Sequence, residues 1–242
     1  MEPLNIPAER LLFRNEACMV INKLPGESSE FPDTGTDNRA GELFPVPVHR
    51  LDTPVSGCLL LARNPLAAAF LGAAFASPAK GKRPGEVEKR YWAITEKARE
   101  GNTFPPEGEL IHWLRENKRT NRSFALPPDS LSGEQPGGLK KAVLRYRLIG
   151  QGDNYLFLEV DLVTGRHHQI RAQLAAMGLH VKGDLKYGAR RSEKAGGIRL
   201  HAYSLGFPNP LNPDEKIRVK ALPPLMDTLW LAFAEAAGVK QP

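Results

Sequence analysis

The segment His49-Arg50-Leu51-Asp52 puts a carboxylate two residues from a guanidinium, in a short polar stretch between apolar runs. A carboxylate so placed can attack carbon as a nucleophile or take a proton as a general base. An aspartate there also has ordinary structural uses: it can cap a turn or pair with Arg50. A second group is Thr164-Gly165-Arg166-His167-His168-Gln169-Ile170-Arg171, which supplies two more imidazoles and two guanidiniums. Adjacent histidines invite a metal reading, but successive side chains are expected to point in different directions. No His-x-x-x-His or carboxylate triad accompanies them, and Arg166 and Arg171 repel a cation, so no metal is expected. Tyr91 is the third group, a phenol in the apolar run Tyr91-Trp92-Ala93-Ile94. A core tyrosine is the common outcome of such a pattern, and a ring available for stacking is the chemical one.

The surrounding pattern shows what must position these groups. Residues 17–22 read as a buried strand, followed by turn chemistry at Lys23-Leu24-Pro25-Gly26 and a loop over 27–42. A second buried strand is expected over 56–63, so the His49–Asp52 segment sits between strands. Asn64 and Pro65 have the form of an N-cap and first-turn proline, opening an Ala-rich helix to about Ala76. After a charged, breaker-rich loop over 77–88, residues 90–95 read as a strand carrying Tyr91. Residues 99–141 are rich in Pro, Gly and charge and are expected to form an irregular excursion. Two period-2 runs, 142–148 and 155–163, predict an antiparallel hairpin. A helix follows from His168 to Met177 with Gly178 as its C′ residue. Late strands are expected at 200–205 and 216–219, and a closing helix over roughly 225–237. With no internal repeat, the order of elements predicts an α+β fold: one continuous mixed, mainly antiparallel sheet flanked by helices and loops, as a single domain over residues 1–242.

Composition is permissive. The 242 residues hold 33 Lys and Arg against 27 Asp and Glu, a net charge of +6 with pI near 9.4, which favours an anionic partner such as nucleic acid. Basic clusters occur at Lys80-Lys82-Arg83, Arg115-Lys118-Arg119-Arg122, Lys140-Lys141 and Lys186-Arg190-Arg191-Lys194. Each alone is usually a solvated face, and together they suit phosphate contacts. Cys18 and Cys58, each inside an apolar run, read as core residues in a reducing compartment. The amino terminus lacks the profile of a leader peptide and no apolar stretch approaches ~20 residues, so a cytoplasmic protein without membrane association is expected.

Four segments, in order, resemble the RluA-type RNA pseudouridine synthase family. His49-Arg50-Leu51-Asp52-Thr53-Pro54-Val55-Ser56-Gly57 resembles its HRLD-x-x-T-S-G element, and Lys89-Arg90-Tyr91-Trp92-Ala93 its K-x-Y-x-A strand. Residues 164–171 resemble T-G-R-x-H-Q-I-R. Gly183-Asp184 with Tyr187-Gly188, then Leu200-His201-Ala202, resemble G-D-x-x-Y-G and L-H-A. The resemblance implies the pseudouridine synthase fold and conversion of uridine to pseudouridine, which breaks the N1–C1′ bond, turns the uracil and rejoins it through C5. No cofactor is required.

By the same resemblance Asp52 is the catalytic carboxylate, Arg171 its partner, and Tyr91 a ring that stacks on the target base or assists proton removal at C5. Arg50 fills the space the flipped base vacates and holds phosphate, and His168 positions the loop and helix. His49, Arg166, Gln169, Ile170 and Leu200 complete the expected substrate-binding set. The expected partner is ribosomal or transfer RNA, with the protein a monomer lacking an amino-terminal S4-like RNA-binding domain. Val55, the Lys23–Gly26 turn and Gln173 depart from the common pattern without removing a catalytic group. The rival readings are an RNA-binding protein that kept the fold without catalysis, and a hydrolase, for which no paired carboxylate is evident.

Overall fold

The computed structural model describes residues 6–30, 45–76, 87–97, 104–130 and 137–239. In chain order the strands and helices are β1 (Leu11–Arg14), β2 (Cys18–Lys23), β3 (Val46–Pro47), β4 (Ser56–Ala62), α1 (Pro65–Ala76), β5 (Glu88–Glu96), β6 (Glu107–Asn117) and β7 (Arg122–Leu126). They continue as β8 (Lys140–Gln151), β9 (Tyr155–Leu162), α2 (Gln169–Ala176), β10 (Leu200–Asn209), β11 (Asn212–Lys220) and α3 (Thr228–Ala236). The chain clusters into two compact units: Met1–Lys89 with Ala202–Pro224, and Arg90–His201 with Leu225–Pro242.

In the first unit β2 pairs antiparallel with β1 and β4, β3 pairs with β4, and β10 with β11. Every residue of β4 is buried, which is why its sequence reads as an unbroken apolar run rather than an alternation. Cys18, Val20, Cys58 and Leu60 join Leu71 of α1 and Phe207, Ile217 and Val219 of the β10–β11 hairpin in one core. Both cysteines are free and buried, as their apolar neighbours predict. Helix α1 starts where expected, with Asn64 Oδ1 accepting the Ala67 N–H at 2.8 Å. Strand β1 was not foreseen. The loop expected over 77–88 lies, through residue 86, outside the described residues, as do 31–42 of the earlier loop.

In the second unit the strands run in the order β5-β9-β8-β6-β7, each neighbouring pair antiparallel. The expected hairpin is present as β8 and β9; β8 extends past its period-2 run at both ends and β9 stops one residue short of its own. The irregular excursion expected over 99–141 is a correction: it contains an antiparallel hairpin, 11-residue β6 and 5-residue β7. The alternation is real, with Leu110, His112 and Leu114 buried. It was masked because the apolar Ile111 and Trp113 occupy the opposite face while a histidine takes a buried position. Helix α2 ends in a Schellman motif in which the Leu179 N–H reaches Leu174 O and the Gly178 N–H reaches Ala175 O, both at 3.0 Å, with Gly178 at φ +74°. Helix α3 packs Phe233 against Trp92 and Phe157. Strands with three helices give the expected α+β class. Among the described residues no helix is long and apolar enough to cross a membrane.

Candidate active site

Asp52 lies in the segment between β3 and β4, and the backbone on both sides of it is fixed. Ser29 Oγ accepts the Leu51 N–H at 3.0 Å and donates to the Leu51 carbonyl at 2.9 Å, both residues being buried. The Thr53 carbonyl accepts the Gly26 N–H at 2.8 Å. It also takes Lys23 Nζ at 3.2 Å, and the same ammonium donates to the carbonyls of Leu24 and Glu27 at 2.9 Å each. Asp52 itself closes a turn, its carbonyl accepting the Val55 N–H at 2.9 Å.

Lys23 is 1% exposed. Burial pushes its pKa down to about 8, and the charges of Glu27 and Asp52 oppose that fall. The Lys23–Gly26 segment was foreseen only as a turn; its lysine is in fact the tie between that turn and the aspartate segment. The signal was a single lysine ending a mainly apolar strand. Ser29 gave no signal.

His49 is a brace. Its Nε2 accepts the Leu60 N–H at 3.1 Å and its ring stacks on Phe75 at 4.8 Å with 9° between planes. Burial, aided by the nearby Lys89 charge, pushes its pKa down to about 3, so it is neutral at ordinary pH. Arg50 is exposed and meets a solvated Glu30 carboxylate at 3.3 Å. Gly57, at φ +116°, lies so close to the Ala202 backbone that a Cβ there would come within 2.4 Å of its carbonyl oxygen.

The remaining expected residues belong to the second unit. Tyr91 is buried on β5, opposite Val160. Arg171, on α2, forms a buried two-point pair with Asp184: Nε to Oδ2 at 2.7 Å and Nη2 to Oδ1 at 2.8 Å. Its guanidinium also lies 4.9 Å from the Tyr187 ring centre. The sequence motif contained Asp184 and Tyr187 but did not reveal them as neighbours of Arg171.

The loop before α2 is held from within. Gln169 Oε1 accepts from Thr164 Oγ1 at 2.7 Å and from the Arg166 N–H at 3.0 Å, and Gln169 Nε2 donates to Val143 O at 3.1 Å. Arg166 Nε donates to Lys141 O at 3.2 Å. Ile170 and Leu200 are buried. His168 has φ +51°, and this left-handed turn overturns the expectation for the histidine pair: the His167 and His168 rings stack at 3.8 Å. His168 Nδ1 lies 3.0 Å from Tyr187 Oη, and His167 Nδ1 lies 3.0 Å from Ser123 Oγ. Among the described residues no group of three or more His, Cys, Asp or Glu is arranged to hold a metal ion. Gln173 is fully buried, its Nε2 donating to Leu110 O at 3.0 Å.

The segment after α2 is fastened by charge. Arg199 Nε meets Glu193 Oε2 at 2.8 Å, Arg199 Nη1 meets Asp227 Oδ1 at 3.0 Å, and Lys182 also pairs with Glu193. Burial would raise the Glu193 carboxyl, but Arg199 and Lys182 outweigh it and hold its pKa at about 2.

The family model for RNA pseudouridylate synthase matches residues 18–176. An uncharacterized RNA pseudouridine synthase of Zymomonas mobilis is 32% identical over 210 residues, covering 83% of this chain and 88% of the relative. Ribosomal large subunit pseudouridine synthase D of the same organism is 31% identical, covering 87% of this chain and 68% of its own length. Ribosomal large subunit pseudouridine synthase C of Rickettsia conorii is 34% identical, with 76% and 57% covered. Among solved structures, human RNA pseudouridylate synthase domain containing 4 superposes with a TM-score of 0.71 at 19% identity, covering 97% of this chain and 95% of that one, a likeness of fold. The chain therefore belongs to the RNA pseudouridylate synthase family and is an RNA pseudouridine synthase, an isomerase.

Proposed function

We propose that this enzyme isomerises specific uridines of ribosomal RNA in the cytoplasm, with Asp52 as its catalytic carboxylate. The observation that carries the reading is the clamping of Asp52 between Leu51 and Thr53, whose backbones are held by Ser29, Gly26 and Lys23. Positioning of this kind is what a nucleophile or base requires, since misplacement by an ångström costs rate steeply. The names of the relatives from Zymomonas and Rickettsia favour ribosomal over transfer RNA as substrate.

In this reading Asp52 acts at uracil C6, at C1′ or on a sugar proton. The N1–C1′ bond breaks, the uracil turns, C5 bonds to C1′ and loses its proton, and N1 gains one, so that atoms balance without oxidation or hydrolysis. Arg171 is the cationic partner of the Asp52 carboxylate. Asp184 takes Nε and Nη2 of Arg171. Tyr91 stacks on the target base, Arg50 fills the space that the flipped base vacates and holds phosphate, and His49, Arg166, His168, Gln169, Ile170 and Leu200 shape the binding site around them.

The test is pseudouridine mapping of total RNA from cells with and without the gene, then complementation with Asp52→Asn and Asp52→Ala. Both variants are expected to abolish the mapped sites while retaining RNA binding. Undiminished pseudouridine in Asp52→Ala refutes the assignment, and sites confined to transfer RNA refute the choice of substrate.

A further inference from the structure

The β6–β7 hairpin carries a cationic and aromatic face for which the isomerisation chemistry has no use. Between Trp113 and Leu126 four cations, Arg115, Lys118, Arg119 and Arg122, stand against one carboxylate, Glu116. Arg115 is directly opposite Phe124, and Glu116 opposite Ser123. Cross-strand partners share a face, so the guanidinium and the ring are neighbours while the carboxylate falls on the other side. Phe124 is 44% exposed, a large ring left in water. Arginines elsewhere on this unit's strands are tied to carboxylates, Arg90 to Asp161 at 2.8 Å and Arg145 to Glu109 and Arg147 to Glu159 at 2.9 Å each. Among the described residues no such pair engages the exposed Arg115, Lys118 or Arg119.

The covered side of the hairpin is fastened to the loop that leads into α2. The Ser123 N–H donates to Tyr187 Oη at 2.7 Å, and Ser123 Oγ donates to the His167 carbonyl at 2.7 Å. The Arg122 guanidinium lies 5.8 Å from the Phe124 ring centre and 5.3 Å from that of Tyr187, which in turn faces Arg171. Ring and guanidinium thus alternate from the exposed face to the buried arginine.

We propose that this hairpin face docks unpaired nucleotides of the RNA substrate, one base stacking on Phe124 while neighbouring phosphates meet Arg115, Lys118 and Arg119. The proposal rests on RNA as the substrate of the site described above. A duplex presents phosphates but keeps its base faces stacked away, so the exposed ring selects single strand and the cations do not.

The test is filter binding of the full chain to single-stranded polyuridylate and to a poly(A)·poly(U) duplex across a range of salt. Phe124→Leu is expected to weaken single-strand binding about tenfold and to spare the duplex. Phe124→Tyr, which keeps the ring, restores affinity and separates lost stacking from lost fold. Arg115→Ala/Lys118→Ala/Arg119→Ala should weaken both and flatten the log–log salt slope for the single strand by about 2, as expected for three phosphate contacts. Arg145→Ala/Arg147→Ala/Arg218→Ala, the same charge removed elsewhere, should leave both unchanged. Wild-type single-strand affinity in Phe124→Leu, an equal loss on the duplex, or an equal loss in the control variant overturns the proposal. Failure of the wild type to form pseudouridine on total RNA would instead strike at the catalytic reading and leave the binding comparison intact.

Discussion

Removing the carboxylate of Asp184 tests whether the buried guanidinium of Arg171 depends on it. The pair is 4% and 1% exposed at its side chains and makes two hydrogen bonds, at 2.7 and 2.8 Å. Loss of one partner from a buried pair leaves an uncompensated charge, so Asp184→Ala should cost about 3–5 kcal/mol. For a chain of 242 residues that is a fall in melting temperature of about 10 °C, at roughly 2–4 °C per kcal/mol. Asp184→Asn keeps the shape and one acceptor and should lose about 2 kcal/mol. The double variant Arg171→Met/Asp184→Leu, which replaces the pair by apolar groups, should recover most of the stability and none of the activity. Thermal unfolding followed by circular dichroism, with pseudouridine formation measured in parallel, reads both quantities. A melting temperature for Asp184→Ala within about 2 °C of wild type would refute the reasoning, as would an active double variant.

Other outcomes follow from the same geometry. Ser29→Ala removes both hydrogen bonds to Leu51 and should cost about 1–2 kcal/mol, with kcat falling more than KM rises in steady-state assays. Gly57→Ala drives a methyl into the Ala202 backbone and should leave little soluble protein in expression trials. Lys23 holds its proton more weakly folded, at about 8 against 10.5, so stability measured by urea unfolding should rise from pH 8 toward 9. Above pH 9 the thiols reverse the sign: burial raises Cys18 to about 11 and Cys58 to about 12, and the unfolded chain ionises them first. In acid, His49 binds its proton more readily unfolded, so stability should decline from pH 6.5 toward 3. A flat profile from pH 8 to 10 would contradict both the lysine and the thiol burial.

What could be read from the residues divides by how local its cause is. Helix α1 was legible because Asn64 and Pro65 announce a helix start, and the end of α2 because Gly178 suits a left-handed position. Strands β8 and β9 were legible from alternation and a Gly-Asp-Asn turn. The β6–β7 hairpin was not, because apolar residues on both faces blur a period of two and its buried positions include His112 and Ser123. The site followed the same rule. Motifs pointed to Asp52, Tyr91 and Arg171 and contained Asp184 without revealing its pairing, whereas Lys23 and Ser29 act through contacts at longer range: Lys23 and Thr53 are 30 residues apart, Ser29 and Leu51 are 22. The stacked histidines depended on one backbone angle, that of His168, which residue type alone does not dictate.

The sealed amine of Lys23 has a use of its own. With a pKa of about 8 it is far more often neutral, and so more nucleophilic, than a surface lysine at mild alkaline pH, yet at 1% exposure an acylating reagent reaches it only when the surrounding carbonyls let go. Its labelling rate, followed by peptide mass spectrometry, is therefore a clock for how often the segment bearing Asp52 opens. RNA that grips that segment would slow the clock, giving a measure of substrate engagement that needs no catalysis.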